Sequence, residues 1–151
     1  MMKNTIPDVP LSGVDVLFVA GFGPITVSVP TSQTFYQTLL NLPIKPMEGN
    51  DAYLTCDTLD GVKHFALWPL AQASQSCFGT DSWPSTYSIP QGWMELEVVD
   101  IGAATEAIKQ QGYPLLVDNR LEPWGQTVTR FLSPEGLLVG VTHTPWLRAR
   151  P

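Results

Sequence analysis

Residues 122–136 read Glu122-Pro123-Trp124-Gly125-Gln126-Thr127-Val128-Thr129-Arg130-Phe131-Leu132-Ser133-Pro134-Glu135-Gly136, and the fold is decided here. Pro123 and Gly125 mark one turn. Ser133-Pro134-Glu135-Gly136 marks a second, because Pro fixes φ and Gly tolerates positive φ. The run between them, 126–131, alternates as a strand does, and a second apolar strand follows at 137–142. The second turn has an echo in the first half of the chain. Leu59-Asp60-Gly61 stands before a strand-like run at 63–68.

Working outward, the same grammar repeats. A strand at 93–99 leads into a helix capped by Asp100 and closed by Gly112. Ile101, Ala104 and Ile108 form its buried stripe, and Glu106 and Lys109 sit three apart on the wet face. A short strand follows at 115–117. In the first half a strand at 22–29 leads into a helix capped by Thr31 or Ser32 and stopped by Pro43. Phe35, Leu39 and Leu42 make its expected apolar stripe, and strands at 52–56 and 63–68 follow. Equivalent features lie roughly 70–75 residues apart. A repeated unit that cannot bury its own face pairs with its copy. The expected organisation is one domain: a first module at 14–70, a Ser/Gly/Pro/Thr-rich linker at 71–92, a second module at 93–145, and a tail at 146–151 anchored by Trp146.

Composition narrows the function. The chain has 151 residues, enough for about one domain, and is 44% hydrophobic. Its net charge is −6, and the eight basic residues are scattered. Nucleic acid and anionic membranes are therefore not expected partners, since both require clustered Lys and Arg. The apolar stretch from Val14 is broken by Asp15, Gly21, Gly23 and Pro24, so no transmembrane helix is expected there. Pro7, Asp8 and Pro10 stand where a signal peptide would be apolar. The expectation is a cytoplasmic protein with Cys56 and Cys77 reduced, and their spacing matches no zinc motif. No glycine-rich phosphate loop and no GxSxG motif occurs.

Glu122 to Gln126 and Ser133 to Gly136 resemble the PWG and DPDG signatures that end the second half of the glyoxalase/bleomycin-resistance/dioxygenase (vicinal oxygen chelate) superfamily. Ser32-Gln33-Thr34-Phe35-Tyr36 is similar to the first-helix signature of that superfamily, and Leu96-Glu97-Val98-Val99-Asp100 to its second strand-to-helix transition. The resemblance spans residues 22–144. It implies an α+β fold in which paired βαβββ modules form a curved, mixed eight-stranded sheet around one small-molecule pocket. It also implies a homodimer, with modules paired within the chain or exchanged. Metal-dependent members place one ligand on the first and last strand of each half. Carried over, those positions fall within Ala20 to Pro24, at Ala66 or Phe65, at Trp93 and at Gly140. None offers an oxygen or imidazole donor. No metal and no cofactor are expected, and the Lewis-acid reactions of the superfamily do not carry over. The bowl remains, as antibiotic-sequestering members use it.

Strand alternation sets the expected lining. His64, Ala66 and Trp68 share a face; so do Trp93, Glu95 and Glu97; so do Gln126, Val128 and Arg130; so do Leu138, Gly140 and Thr142. The candidate ligand-binding residues are His64, Trp68, Trp93, Glu95, Arg130 and Gly140. Trp68 and Trp93 are the candidate platforms for a planar or cationic guest. Gly140 leaves backbone open, and Glu95 supplies charge. His64 and Glu95 together are the candidate general base with its orienting partner, or a displaced metal pair; Glu95 with Arg130 is the competing structural ion pair. Three functions follow. One is metal-free binding of a small, partly aromatic or cationic molecule, as in drug sequestration and antibiotic resistance. Another is a lyase, isomerase or dioxygenase built on His64 and Glu95, with or without a non-standard metal. The third is a fold-only interaction module.

Overall fold

The computed structural model describes residues 13–148; Pro7, Asp8, Pro10 and tail residues 149–151 lie outside that range. Strand β1 (Val16–Thr26) is followed by α1 (Val29–Gln33), which continues as a π-helical segment over Thr34–Leu39. Strands β2 (Lys45–Met47), β3 (Asn50–Cys56) and β4 (Phe65–Pro69) complete the first half. Helix α2 (Leu70–Phe78) leads on to β5 (Gly92–Val98), α3 (Ile101–Gln110), β6 (Val117–Leu121), β7 (Thr127–Leu132), β8 (Leu138–His143) and the short α4 (Pro145–Arg148).

All eight strands form one mixed sheet in the order β2-β3-β4-β1-β5-β8-β7-β6. Outward from the centre each half runs first, fourth, third, second, so one βαβββ module occurs twice. Within each module the first and last strands are parallel, Phe22 beside Phe65 and Glu95 beside Gly140. The halves join along antiparallel β1 and β5, Gly23 facing Trp93, and so pair within the chain. The expected eight-stranded mixed sheet of two βαβββ modules is the observed one.

The second helix forms as its sequence dictates. The Asp100 carboxylate accepts the Ala103 N–H at 3.0 Å, and Gly112 closes the helix at φ +84°. Ala104 and Ile108 are buried against Val98 and Val141, with Ile101 alongside. The first helix departs from its expectation. Its cap is Ser28, because Pro30 is best placed in the first turn. Leu40 N–H bonds the carbonyl of Phe35 five residues back, and Asn41 at φ 55° ends the helix. The wider turn changes which side chains meet the sheet. Phe35 and Leu39 are exposed; Leu42 packs as expected on Ile44, Leu54, Cys56, Phe65 and Leu67, and Tyr36 joins it there.

The linker is only partly a linker. Leu70–Phe78 is helical, with Ala73, Ser74 and Cys77 buried and Gly79 as its left-handed cap. Ser and Ala are small enough to let this helix pack closely on the inner face, where Ala73 and Cys77 join Ala66, Trp93, Val128 and Leu138. A Ser-rich composition reads as loop; here it marks close packing. At the other end, Trp146 is not the tail's anchor. Leu147 is buried, and Arg148 Nε donates to Glu97 at 2.7 Å. No helix among the described residues is long and apolar enough to cross a membrane.

Candidate functional site

A cavity of about 800 Å³ opens on the inner face of the sheet, between the two modules. Strands β3, β4, β5 and β7 supply its floor. Gln72, Gln75 and Ser76 of α2 wall one end, and the hairpin between β6 and β7 together with α4 forms the rim. Arg120 ties wall to hairpin, donating to the Ser76 carbonyl at 2.6 Å and to Glu122 at 2.7 Å.

The floor is organised around Gly140. That residue lies beside Glu95 on one strand and Arg130 on the other. A Cβ there would stand 3.3 Å from Glu95 Cγ and 3.5 Å from Arg130 Nη1. The missing side chain therefore lets Glu95 and Arg130 meet across β8, Nη1 to Oε2 at 3.0 Å. Arg130 is 2% exposed. Its guanidinium lies 4.8 Å over the Trp68 ring, so the protein's own cation sits on one expected platform. Gln126 Nε2 donates to the other Glu95 oxygen and to Thr144 Oγ1, each at 3.0 Å.

His64 and Glu95 do not pair. Both Glu95 oxygens are taken by Gln126 and Arg130. His64 Nδ1 lies 2.6 Å from Asp57 Oδ1, and Nε2 lies 2.7 Å from Tyr53 Oη. A carboxylate only accepts, so Nδ1 carries a proton that points at Asp57; in the tautomer with Nε2 unprotonated, Nε2 accepts the Tyr53 O–H. Burial, reinforced by the Glu95 charge, raises the Tyr53 pKa above its ordinary value; Arg130 opposes this and does not win. Tyr53 and Asp57 gave no signal in the sequence, since each becomes a neighbour of His64 only through the antiparallel pairing of β3 with β4.

Trp93 lines the cavity wall but is 2% exposed, packed in the core with its N–H donating to the Ala66 carbonyl at 3.1 Å. Its ring would lie 2.9 Å from a Cβ on Gly21, and its Nε1 3.1 Å from one on Gly23. A Cβ on Gly23 would also meet the Ala66 carbonyl oxygen at 1.9 Å. The indole thus fills the volume into which chelating side chains from β1, β4 and β5 would project, and the Glu95–Arg130 pair fills the volume beside Gly140. These residues do not fit the superfamily's metal. Among the described residues no three His, Cys, Asp or Glu converge as a metal site.

The open aromatic surface lies at the rim instead. Trp124 is 54% exposed and Trp146 is 48% exposed, and both line the cavity. Trp124 Nε1 donates to Gln126 Oε1 at 3.0 Å, which links rim to floor. Glu97 is not a cavity group. It is fully buried, accepting from Thr142 Oγ1 at 2.8 Å, the Thr144 N–H at 2.6 Å and Arg148. Burial alone would raise its pKa; these bonds outweigh burial and hold it below the ordinary value. Arg148 also donates to the Val98 carbonyl, so Glu97 clamps α4, and with it Trp146, over the cavity.

No protein-family model matches this sequence, and no curated protein matches it significantly. Solved structures do. A glyoxalase/bleomycin resistance protein/dioxygenase superfamily member from Vibrio splendidus 12B01 aligns with a TM-score of 0.55 at 16% identity, over 83% of this chain and 97% of that one. Methylmalonyl-CoA epimerase from Mycobacterium tuberculosis aligns with a TM-score of 0.55 at 16% identity, over 93% and 97%. A hypothetical protein from Bacillus halodurans C-125 aligns with a TM-score of 0.53 at 17% identity, over 83% and 93%. Identities this low establish architecture alone. The chain has the glyoxalase/bleomycin-resistance/dioxygenase fold.

Proposed function

We propose that the chain binds a small, planar, partly aromatic molecule in this cavity and does so without a metal ion. The observation that carries the proposal is the pair of half-exposed indoles, Trp124 and Trp146, standing over a closed polar floor. Small-molecule sites are mostly apolar, with a few convergent polar groups that fix orientation. Here Gln126, Arg130 and Tyr53 are those groups. A cationic guest is disfavoured, because Trp68 already carries Arg130 and the lining carboxylates Asp57, Glu95 and Glu122 are balanced by Lys63, Arg120 and Arg130. Sequestration of a toxic compound by tight binding alone is the physiological role that this proposal extends to.

A thermal-shift screen of planar aromatic compounds tests it. A binder at about 100 times its Kd stabilises the fold by about 2.7 kcal/mol. Trp124→Ala removes an exposed ring whose loss leaves the core intact, so it should weaken binding without lowering the melting temperature of the free protein. A library of planar compounds that produces no shift at millimolar concentration rejects the proposal.

A further inference from the structure

Tyr53, His64 and Asp57 form a connected chain from cavity to solvent, of which binding alone uses only Tyr53. All three line the cavity. The links are 2.7 Å and 2.6 Å, and the outer end is open: the His64 side chain is 27% exposed and that of Asp57 60%. With the Nδ1 proton toward Asp57, His64 Nε2 accepts the Tyr53 O–H. The phenolic oxygen then has a lone pair left, backed by a base. A guest carbonyl has nothing to donate to such an acceptor; a guest hydroxyl does.

We propose that this chain is a proton relay that recognises a weakly acidic hydroxyl, phenolic or enolic, on a planar guest and holds the guest as its anion. The proposal rests on the cavity binding a planar guest at all. The guest O–H bond breaks, and its proton bonds to Tyr53 Oη. Tyr53 passes its own proton to His64 Nε2. His64 becomes an imidazolium beside the Asp57 carboxylate, and the electron pair of the broken bond stays on the guest oxygen. No electrons are exchanged with any partner, and no co-reactant is required.

Three features favour this direction of transfer. Burial and the Glu95 charge disfavour a phenolate on Tyr53, so it conducts the proton and does not end as the anion. Imidazolium is stabilised where it forms, against a carboxylate in partly solvated surroundings. The negative guest shares the cavity with three cationic side chains, Lys63, Arg120 and Arg130. The charged groups that bear on Tyr53 are Glu95 from β5, Arg130 from β7 and Asp57 just past β3. Glu95 is itself neutralised by Arg130 and hydrogen-bonded by Gln126.

The probe is 4-nitrophenol, whose anion is yellow. Binding is read by tryptophan quenching, ionisation by the phenolate absorbance, and the proton's destination by NMR of the two histidines, His64 and His143. At neutral pH the bound probe should be more ionised than the free probe by about one pH unit, a tenfold shift. The His64 ring should take up its second proton on binding while the His143 signals stay fixed. In His64→Gln and Tyr53→Phe, whatever probe binds should stay neutral. Quenching with no gain in phenolate and an unmoved His64 overturns the relay and leaves the binding proposal standing. Quenching by other planar compounds but not by 4-nitrophenol overturns the hydroxyl assignment. No quenching by any planar compound overturns both.

Discussion

The indole N–H of Trp93 donates to the backbone carbonyl of Ala66 at 3.1 Å, across the seam between the two modules. The same ring covers Gly21 and Gly23. One side chain therefore satisfies a buried polar group, fills the centre of the cup and removes the space for chelating residues. Trp93→Ala should destabilise the protein by about 3–5 kcal/mol, the usual cost of deleting a buried Trp. Urea unfolding measures it. A midpoint unchanged from wild type would show that the ring is not part of the core.

The Glu95–Arg130 pair gives a second expectation. Arg130→Met removes a buried guanidinium and strands a carboxylate, which typically costs about 3–5 kcal/mol. Adding Glu95→Gln to that variant removes the stranded charge and should recover much of the loss. A double variant no more stable than Arg130→Met would mean that Glu95 finds other compensation.

Glu97 supplies a pH dependence. Its folded pKa lies below the ordinary 4.5. The contribution of its ionised form is therefore present above the ordinary carboxylate range and is lost as pH falls through the lowered folded value. Glu97→Gln should lower stability at pH 7, and the gap to wild type should close as the medium is acidified below 4.5. Parallel stability curves for the two proteins at all pH values would contradict the clamp.

Tyr53 gives the opposite limb. Its folded pKa is raised from 10.0, so the stability tied to the neutral phenol is present below that value and is lost as pH rises past it. In an alkaline titration, the difference between wild type and Tyr53→Phe should show tyrosinate absorbance only where circular dichroism reports unfolding. Tyrosinate in that difference while the fold persists would show that Tyr53 is not shielded.

The repeat and the strand faces were legible because both are local. Pro134-Glu135-Gly136, the Asp100 cap and the period-two alternation through Trp93, Glu95 and Glu97 act over a few residues. The Glu95–Arg130 pairing was legible as one option, since the alternation places both on the inner face. What the sequence could not show depends on distance along the chain. Asp57 and Tyr53 become partners of His64 only once β3 lies against β4. Trp146 joins the rim only once Glu97 pins Arg148, and Trp124 only once the hairpin between β6 and β7 has formed. Helix α2 was hidden by its composition, because Ser and Ala are chosen there for close packing on the inner face. Phe35 and Leu39 leave the expected stripe because a π-helical turn moves i and i+4 off a common face.

On the binding proposal, this cup grips its guest with indole, guanidinium and amide groups and needs no bound ion. Saturable quenching of tryptophan fluorescence by a planar aromatic compound, measured on chelator-stripped protein with and without added divalent metal, tests it most directly. The dissociation constant should be the same in both samples and weakened in Trp124→Ala and Trp146→Ala. Quenching that appears only after stoichiometric metal is restored would contradict it.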